Sequence, residues 1–201
     1  MKDLLIVYPK EFNSYSKFER KMNKVIERLD DLNLCYLEDP NQHIKKYSYS
    51  CKKKLETSKV SEVNSPDFDY VVIFDDGEEY NNYVNYFTEV GVKLRVINIA
   101  ITRVINIKTE KNYENKKNSK NYEYIGRGSY WGNPHSMYEK GESREEVIRK
   151  YKYDFDYDKF INKEKKNVYK LNGKRLGCFC KPEACHGDIL ADYLNAWDDG
   201  K

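Results

Sequence analysis

The chain has 201 residues, of which 39% are hydrophobic and 34% charged, and its 36 basic and 33 acidic residues leave a net charge of +3. This length is enough for one large domain or two compact domains of about 100 residues each. The near balance of charge does not predict nonspecific nucleic-acid binding. No apolar run approaches the roughly 18 residues of a membrane-spanning helix and no signal-peptide pattern is present, so we expect a cytoplasmic protein without membrane contact.

The first half of the chain alternates strand and helix patterns. Residues 4–7 form a short apolar run, typical of a strand that is buried on both faces. Ser16 and Glu19 have the spacing of a capping box, and apolar residues at helical spacing follow them, which predicts a helix over about 17–31. Residues 34–66 show no pattern that assigns an element, and His43 within them is expected at the surface.

A second apolar strand is predicted at 70–74, followed by a helix at about 81–90, a left-handed cap at Gly91 and a third strand at 92–99. This rhythm predicts a right-handed parallel crossover, and therefore a Rossmann-like three-layer α/β module with a parallel sheet over residues 1–107. Acidic residues follow the second strand, and we interpret them as a solvated turn, with metal binding as the alternative. They are Asp75, Asp76, Glu78 and Glu79.

Residues 108–121 are rich in lysine and asparagine and carry no aliphatic side chain, which predicts a polar linker. Residues 122–201 are then expected to form a second, small α/β module. Within it, a segment rich in glycine and aromatic residues occupies 126–134, and the Ser143–Glu146 pair predicts a capped helix. A strand is expected at 176–179, and Asp188 is placed to cap a last helix.

Three of the five cysteines, Cys178, Cys180 and Cys185, lie within eight residues, and His186 follows them. An odd cysteine count without a secretion signal argues against a disulfide framework. Thiolates and imidazole are the preferred ligands of zinc, so these four residues could complete a tetrahedral site, although their spacing differs from that of zinc knuckles. Two other interpretations stay open: buried structural cysteines, or a reactive Cys185–His186 pair at the start of a helix, where the dipole lowers a thiol pKa and attracts an anion.

The segment 126–134 offers groups that recognise a small ligand. Gly128 lets the backbone approach closely, and Arg127 supplies a bidentate fork for phosphate or carboxylate. Trp131 offers a stacking face, and Asn133 offers both a donor and an acceptor. The alternative is a structural loop in which Arg127 pairs with a carboxylate and Trp131 fills the core.

Three blocks of the second half resemble the family called domain of unknown function 4326, which is common in phages and bacteria. They are IGRGSYWGNP (125–134), GESREEVIRKY (141–151) and LNGKRLGCFCKPEACHGDIL (171–190). The family has no established reaction, but the resemblance implies a common pocket. Its residues would be Arg127, Trp131, Gly132, Asn133, Pro134, Cys180, Cys185, His186 and Asp188. The abundance of tyrosine, lysine and asparagine is also typical of AT-rich bacteria and their phages.

The first half is similar to the SLOG superfamily, a Rossmann-like group with nucleotide-binding and nucleotide-hydrolysing members. The similarity lies in residues 4–7 with the helix that follows, and in DYVVIFDDG (69–77) before a helix and the strand at 92–97. SLOG proteins carry a glycine-rich phosphate loop and a Gly-Thr pair, whereas this chain has Tyr8-Pro9-Lys10 and Asn81-Asn82. Without those glycines the backbone cannot close as tightly around a phosphate, so we interpret this module as a degenerate scaffold.

We therefore expect a phage or bacterial accessory protein whose second module binds, and is equipped to process, a small nucleotide-like or phosphorylated ligand. The ligand would be bound by Arg127, Gly128, Trp131 and Asn133. Acid–base or nucleophilic work would fall to Cys185, His186 and Asp188. The rival hypothesis is a non-enzymatic phage host-takeover protein that binds a host factor such as the transcription machinery, because segments 80–87 and 151–160 are rich in tyrosine, a frequent hot-spot residue. A third hypothesis is a zinc-stabilised binding module.

Overall fold

The computed structural model describes residues 1–63, 68–113, 115–137 and 141–200, and its chain divides into two compact units. Unit 1 comprises Met1–Ile99 and Ala196–Lys201, and unit 2 comprises Ala100–Asn195. No helix among the described residues is long and apolar enough to cross a membrane. Parts of the predicted linker and second module, namely residues 114, 138–140 and 201, lie outside the described residues.

Unit 1 is built on a parallel sheet of five strands in the order β3-β2-β1-β4-β5. The strands are β1 (Lys2–Val7), β2 (Leu32–Tyr36), β3 (Leu55–Lys59), β4 (Tyr70–Asp75) and β5 (Lys93–Asn98). The helices are α1 (Tyr15–Ile26), α2 (His43–Ser50) and α3 (Asn81–Val90). The predicted Rossmann-like α/β architecture is confirmed. The strand order reverses between β1 and β4, and in such sheets this point opens a crevice at the carboxyl ends of the strands.

The two central strands of unit 1 are those that the sequence predicts most directly. Residues 4–7 of β1 and 71–74 of β4 are buried, because a strand flanked by neighbours and covered on both faces must be apolar throughout. The helix that follows β4 ends at Gly91, whose φ of 78° gives the predicted left-handed cap.

The segment between α1 and β4 differs most from the sequence analysis. It contains β2, α2 and β3, where no element was assigned. His43 is buried rather than exposed: its ring stacks on Tyr8, and its Nε2 lies 2.8 Å from the carbonyl oxygen of Phe12. The capping box predicted for α1 does not form either, because the helix begins two residues earlier than predicted, at Tyr15, and its N-cap residue Ser14 makes no side-chain cap.

Unit 2 contains a parallel sheet of three strands in the order β6-β8-β7. The strands are β6 (Arg103–Asn106), β7 (Tyr122–Tyr124) and β8 (Arg175–Cys178), and the helices are α4 (Arg144–Asp156) and α5 (His186–Asn195). The boundary between the units lies at Ile99–Ala100 and not in the predicted linker at 108–121, because β6 pairs with β8 and so belongs to unit 2. A 3-10 helix, Lys165–Leu171, precedes β8.

The core of unit 2 gathers apolar side chains from its sheet, its helices and the loop after β7. Its buried members are Ile125, Trp131, Tyr151, Phe155, Phe160, Val168, Leu171, Leu176, Cys178, Cys185, Leu190 and Leu194. The predicted capping box of α4 is present: the Ser143 hydroxyl accepts from the amide of Glu146, and the Glu146 carboxylate accepts from the amide of Ser143 at 2.9 Å. This box fixes where α4 starts.

Replacing Ser143 with alanine removes one of these two hydrogen bonds, so the free energy of unfolding should fall by about 1 kcal/mol. Urea denaturation followed by circular dichroism measures this change. Ser61→Ala is the matched control, since the exposed Ser61 hydroxyl makes no hydrogen bond within the described part of the chain. Equal losses in the two variants would show that the box does not stabilise α4.

Candidate functional site

A cavity of about 390 Å³ lies in unit 2 beside the carboxyl ends of β7 and β8, a volume typical of small-molecule sites. Its walls come from the segments that follow these two strands, from the first two turns of α4 and from the start of α5. The lining residues are Gly126, Arg127, Asn133, His135, Met137, Arg144, Val147, Ile148, Cys178, Phe179, Cys180, Ala184 and His186. Four of the nine residues of the predicted pocket line this cavity, namely Arg127, Asn133, Cys180 and His186.

Two arginines supply positive charge to this cavity. Arg127 is exposed, and its Nη1 donates to the hydroxyl of Ser136 at 3.1 Å. Arg144 begins α4, and its Nη1 lies 3.3 Å from the carbonyl oxygen of Ala184. Among the described lining residues none is acidic. The cavity therefore favours an anion, and Arg144 is a contributor that the sequence analysis missed, although it lies within the second resemblance block.

His135 forms part of the same wall. Its Nε2 lies 2.7 Å from Oδ2 of Asp154 in α4, so the carboxylate orients the imidazole and pairs with it when the ring is protonated. The backbone amide of His135 donates to Oδ1 of Asn133 at 2.9 Å, and Nδ2 of Asn133 donates to the carbonyl of Val147 at 3.0 Å. Both ends of the Asn133 amide thus hold the loop, and the residue also lines the cavity.

Trp131 does not offer the stacking face that the sequence predicted. It is 3% exposed and belongs to the core of unit 2, where its carbonyl accepts from the Tyr151 hydroxyl at 2.9 Å. The exposed aromatic ring of the cavity is instead Phe179, which is 50% exposed and meets the ring of Tyr124 edge-on. The sequence analysis missed Phe179 because it lies between two cysteines, and only the cysteines were interpreted as functional residues.

The two glycines of the Gly126-Arg127-Gly128 segment have different roles. Gly126 lines the cavity, and a Cβ there would overlap the Tyr124 side chain, so glycine is required by space. Gly128 adopts a φ of 82° in the turn and is not among the lining residues, so its role is conformational rather than the predicted ligand contact.

Asp188 serves the start of α5 rather than the cavity. The helix begins at His186, so Asp188 lies in its first turn and not at the predicted cap position. Its Oδ2 accepts from the amide of Cys185 at 2.9 Å, and its Oδ1 pairs with Nζ of Lys181 at 2.7 Å. The carboxylate is therefore engaged in holding the helix, which removes support for its predicted catalytic role.

The three clustered cysteines converge in space. The Sγ atoms of Cys178, Cys180 and Cys185 all lie within 4.8 Å of one another, and those of Cys178 and Cys180 are 3.4 Å apart. All three are free thiols; Cys178 and Cys185 are buried and Cys180 is half-buried. Within the described part of the chain this is the one such group of potential metal ligands, so the acidic turn after β4 forms none. There the Asp76 carboxylate instead accepts from the backbone amides of the next turn.

A hydrogen bond between two thiols of this cluster shifts their pKa values in opposite directions. The hydrogen bond from Cys185 lowers the pKa of the Cys178 thiol, and the same bond, with burial, raises the pKa of Cys185. Burial lowers the pKa of His186, whose Nε2 lies 2.9 Å from the carbonyl oxygen of Ile125. The raised pKa disfavours a thiolate at Cys185, the position at the helix start that the sequence analysis gave to the nucleophile.

The crevice of unit 1 contrasts with this basic cavity. A space of about 370 Å³ at the carboxyl ends of β1 and β2 is lined by Lys10 but also by Glu38 and Glu79. Burial, and then the nearby carboxylates of Glu11 and Asp75, raise the pKa of Glu79. Such a site repels phosphate, in agreement with the missing glycine-rich loop.

Comparison with known proteins gives two family matches. The family described as minimal SLOG domain (mSLOG) matches residues 1–105, and the domain of unknown function DUF4326 matches residues 105–196. Over 72 residues the chain is 43% identical to the uncharacterized 12.4 kDa protein in the nrdA-td intergenic region of Enterobacteria phage T4. This match covers 35% of the chain and 65% of the phage protein, slightly under two thirds of its length. No solved structure matches. Both resemblances named from the sequence are confirmed, and a phage relative accompanies them.

The engagement of Asp188 with the helix start can be tested by stability. Asp188→Ala removes the acceptor of the Cys185 amide and the partner of Lys181, so the free energy of unfolding should fall by about 1–2 kcal/mol. Asp192→Ala, one turn further along the exposed side of α5, is the control, since its carboxylate makes no hydrogen bond among the described residues. Urea denaturation of both variants gives the comparison, and unchanged stability in Asp188→Ala would contradict the structural role.

Proposed function

This chain belongs to the minimal SLOG domain family and carries DUF4326 in its second half, and we propose that the cavity of unit 2 binds a small nucleotide-like ligand through its phosphate. One observation carries the proposal. Arg127, Arg144 and the exposed ring of Phe179 line a single cavity that has no acidic lining residue in the described chain. These groups match the two chemical parts of a nucleotide.

The arginines match the anionic part. Arg127 is exposed and donates a hydrogen bond to the neutral hydroxyl of Ser136, so its remaining N–H groups can donate to phosphate oxygens. Arg144 occupies the first helical position of α4, where the partial positive charge of the helix N-terminus adds to its own. Val147 and Ile148, one turn later, line the same cavity, so this end of α4 is the end that the ligand meets.

The apolar walls match the planar part. The half-exposed Phe179 ring can stack on a base, and Met137, Val147 and Ile148 supply apolar surface around it. His135, held by Asp154, adds an oriented nitrogen at the rim. A phosphate alone would leave these apolar surfaces uncovered, which is why a nucleotide-like ligand fits better than an inorganic anion.

Binding without chemistry is the function that these contacts favour. The groups expected to process a ligand are engaged elsewhere: Cys185 is buried and its thiol pKa is raised, and the Asp188 carboxylate accepts from the Cys185 amide at the helix start. His186 lines the cavity, but it is 6% exposed and hydrogen-bonded to the backbone. The proposed role is therefore that of a ligand-binding module.

The host-factor hypothesis has less support in the structure. In the tyrosine-rich segment 151–160, Tyr151 and Phe155 are core residues, whereas Tyr153 and Tyr157 are exposed and pack on each other at 4.7 Å between ring centres. The exposed aromatic side chains of this segment are that one pair, which is smaller than the apolar patches that mark stable interfaces. In the segment 80–87, Tyr86 is exposed and Phe87 is buried. Ligand binding is therefore the function that we favour.

Substitution of the cavity arginines should weaken anion recognition. Isothermal titration calorimetry with the four ribonucleoside monophosphates should detect binding of at least one, with adenosine as the uncharged comparison. Arg127→Ala and Arg144→Ala should each weaken it about 10- to 100-fold, since a hydrogen bond to a charged group contributes roughly 1.5–3 kcal/mol.

Arg149→Ala is the matched control, because Arg149 is exposed on the same helix and does not line the cavity. Equal weakening in Arg149→Ala would show that net charge, rather than the cavity, governs binding. Failure of every monophosphate to bind with a Kd below about 1 mM would overturn the proposal.

Phe179→Ala should separate the planar part of the ligand from its phosphate. Loss of a stacking surface costs about 1–3 kcal/mol per base, so nucleoside monophosphate affinity should fall at least about fivefold. Ribose 5-phosphate, which has no base, should be unaffected, and Phe179→Tyr should retain nucleotide affinity. Isothermal titration calorimetry measures these affinities, and an equal loss of affinity for ribose 5-phosphate would contradict a stacking role.

A further inference from the structure

The cysteine cluster has the dimensions of a site for one metal ion. Zinc lies about 2.3 Å from each thiolate, so a tetrahedral zinc site places its sulfur atoms about 3.8 Å apart. The Sγ atoms of Cys178 and Cys180 are 3.4 Å apart, and the three Sγ atoms, including that of Cys185, all fall within 4.8 Å of one another. Small side-chain rotations are enough to reach the ideal spacing.

The nearest nitrogen is that of His186. Its Nδ1 lies 3.7 Å from Sγ of Cys185, close to the ligand-to-ligand spacing of a tetrahedral site. Nε2 of His186 lies 2.9 Å from the carbonyl oxygen of Ile125, and since a carbonyl accepts, Nε2 must carry the proton. Nδ1 then carries the lone pair, and its sulfur neighbour is Sγ of Cys185. A backbone carbonyl that fixes the tautomer in this way is the usual neighbour of a metal-bound histidine.

We propose that Cys178, Cys180 and Cys185 bind one zinc ion, with Nδ1 of His186 as the fourth ligand. Sulfur-rich tetrahedral sites select zinc or iron–sulfur clusters. An iron–sulfur cluster holds its cysteine sulfurs apart by its own width, whereas these sulfurs are nearly in contact, so a single ion is indicated.

The ion would be structural. It would tie the end of β8, the loop after it and the start of α5 to one point in the cavity wall, where Cys178, Cys180 and His186 are lining residues. Four protein ligands leave no open position, as in other structural zinc sites. The site requires no ligand in the cavity, so this proposal is independent of the proposed function.

Metal analysis of the full chain tests the proposal. Protein purified without chelator should contain one zinc per chain by inductively coupled plasma mass spectrometry. Cys178→Ser, Cys180→Ser and Cys185→Ser should each lose it. Cys51→Ser should keep it, because Cys51 is a free, half-buried cysteine outside the cluster. Arg127→Ala, which should weaken nucleotide binding, should also keep its zinc, so the two proposals fail separately.

Spectroscopy of the unmutated chain keeps the test valid if the serine variants do not fold. Metal-stripped protein titrated with Co²⁺ should develop intense thiolate charge-transfer bands and tetrahedral visible bands that saturate at one equivalent. Zinc-edge X-ray absorption should show three sulfur ligands and one nitrogen, and His186→Asn should shift the cobalt bands. A chain that contains no metal and gives no cobalt bands would overturn the site, and a spectrum unchanged in His186→Asn would overturn the fourth ligand.

Discussion

The site of unit 2 depends on one close contact, between the first turn of α5 and the residue that follows β7. A Cβ at Gly187 would overlap the Ile125 side chain, so glycine lets the helix reach the sheet. This approach sets His186 against the Ile125 carbonyl and brings Cys185 within reach of the cysteines at the end of β8. Glycine is required within the sheet for the same reason, because a Cβ at Gly177 would overlap Tyr122 of the neighbouring strand. The cavity and the sulfur cluster both follow from how closely these backbones pack.

The features that the sequence predicted correctly are local ones. The Ser143–Glu146 box and the cap at Gly91 depend on a few neighbouring residues, and the strand at 4–7 depends on a short apolar run. The elements that were missed depend on distant partners. β3 exposes most of its side chains and is a strand because it pairs with β2, and β6 joins the second sheet because it pairs with β8, some 70 residues later in sequence. Such pairings leave little periodicity in the strand itself, which is why the unit boundary was misplaced.

The same division between local and tertiary information applies to the site. Residue type was enough to select Arg127 and the cysteine–histidine group as candidates, because few side chains can bind an anion or a soft metal. The roles of the other site residues depend on whether their side chains are buried. Burial could not be predicted for these loops, because their sequences show no periodicity. Trp131 and Phe179 illustrate this: both are aromatic residues in irregular segments, yet one is 3% and the other 50% exposed. Which ring enters the core is decided by packing against α4, whose Tyr151 hydroxyl binds the Trp131 carbonyl.

Local electrostatics explains why a net charge of +3 conveyed so little about ligand preference. The crevice of unit 1, where a Rossmann-like sheet usually receives a phosphate, is lined by Glu38 and Glu79, and the pKa of Glu79 is raised by burial and by neighbouring carboxylates. Placing a phosphate there would add charge of the same sign to a partly desolvated site. The cavity of unit 2 has the opposite character, with Arg127 and Arg144 and no acidic lining residue in the described chain. Opposed local fields of this kind nearly cancel in the total, so the sign at each site, rather than their sum, determines where an anion can bind.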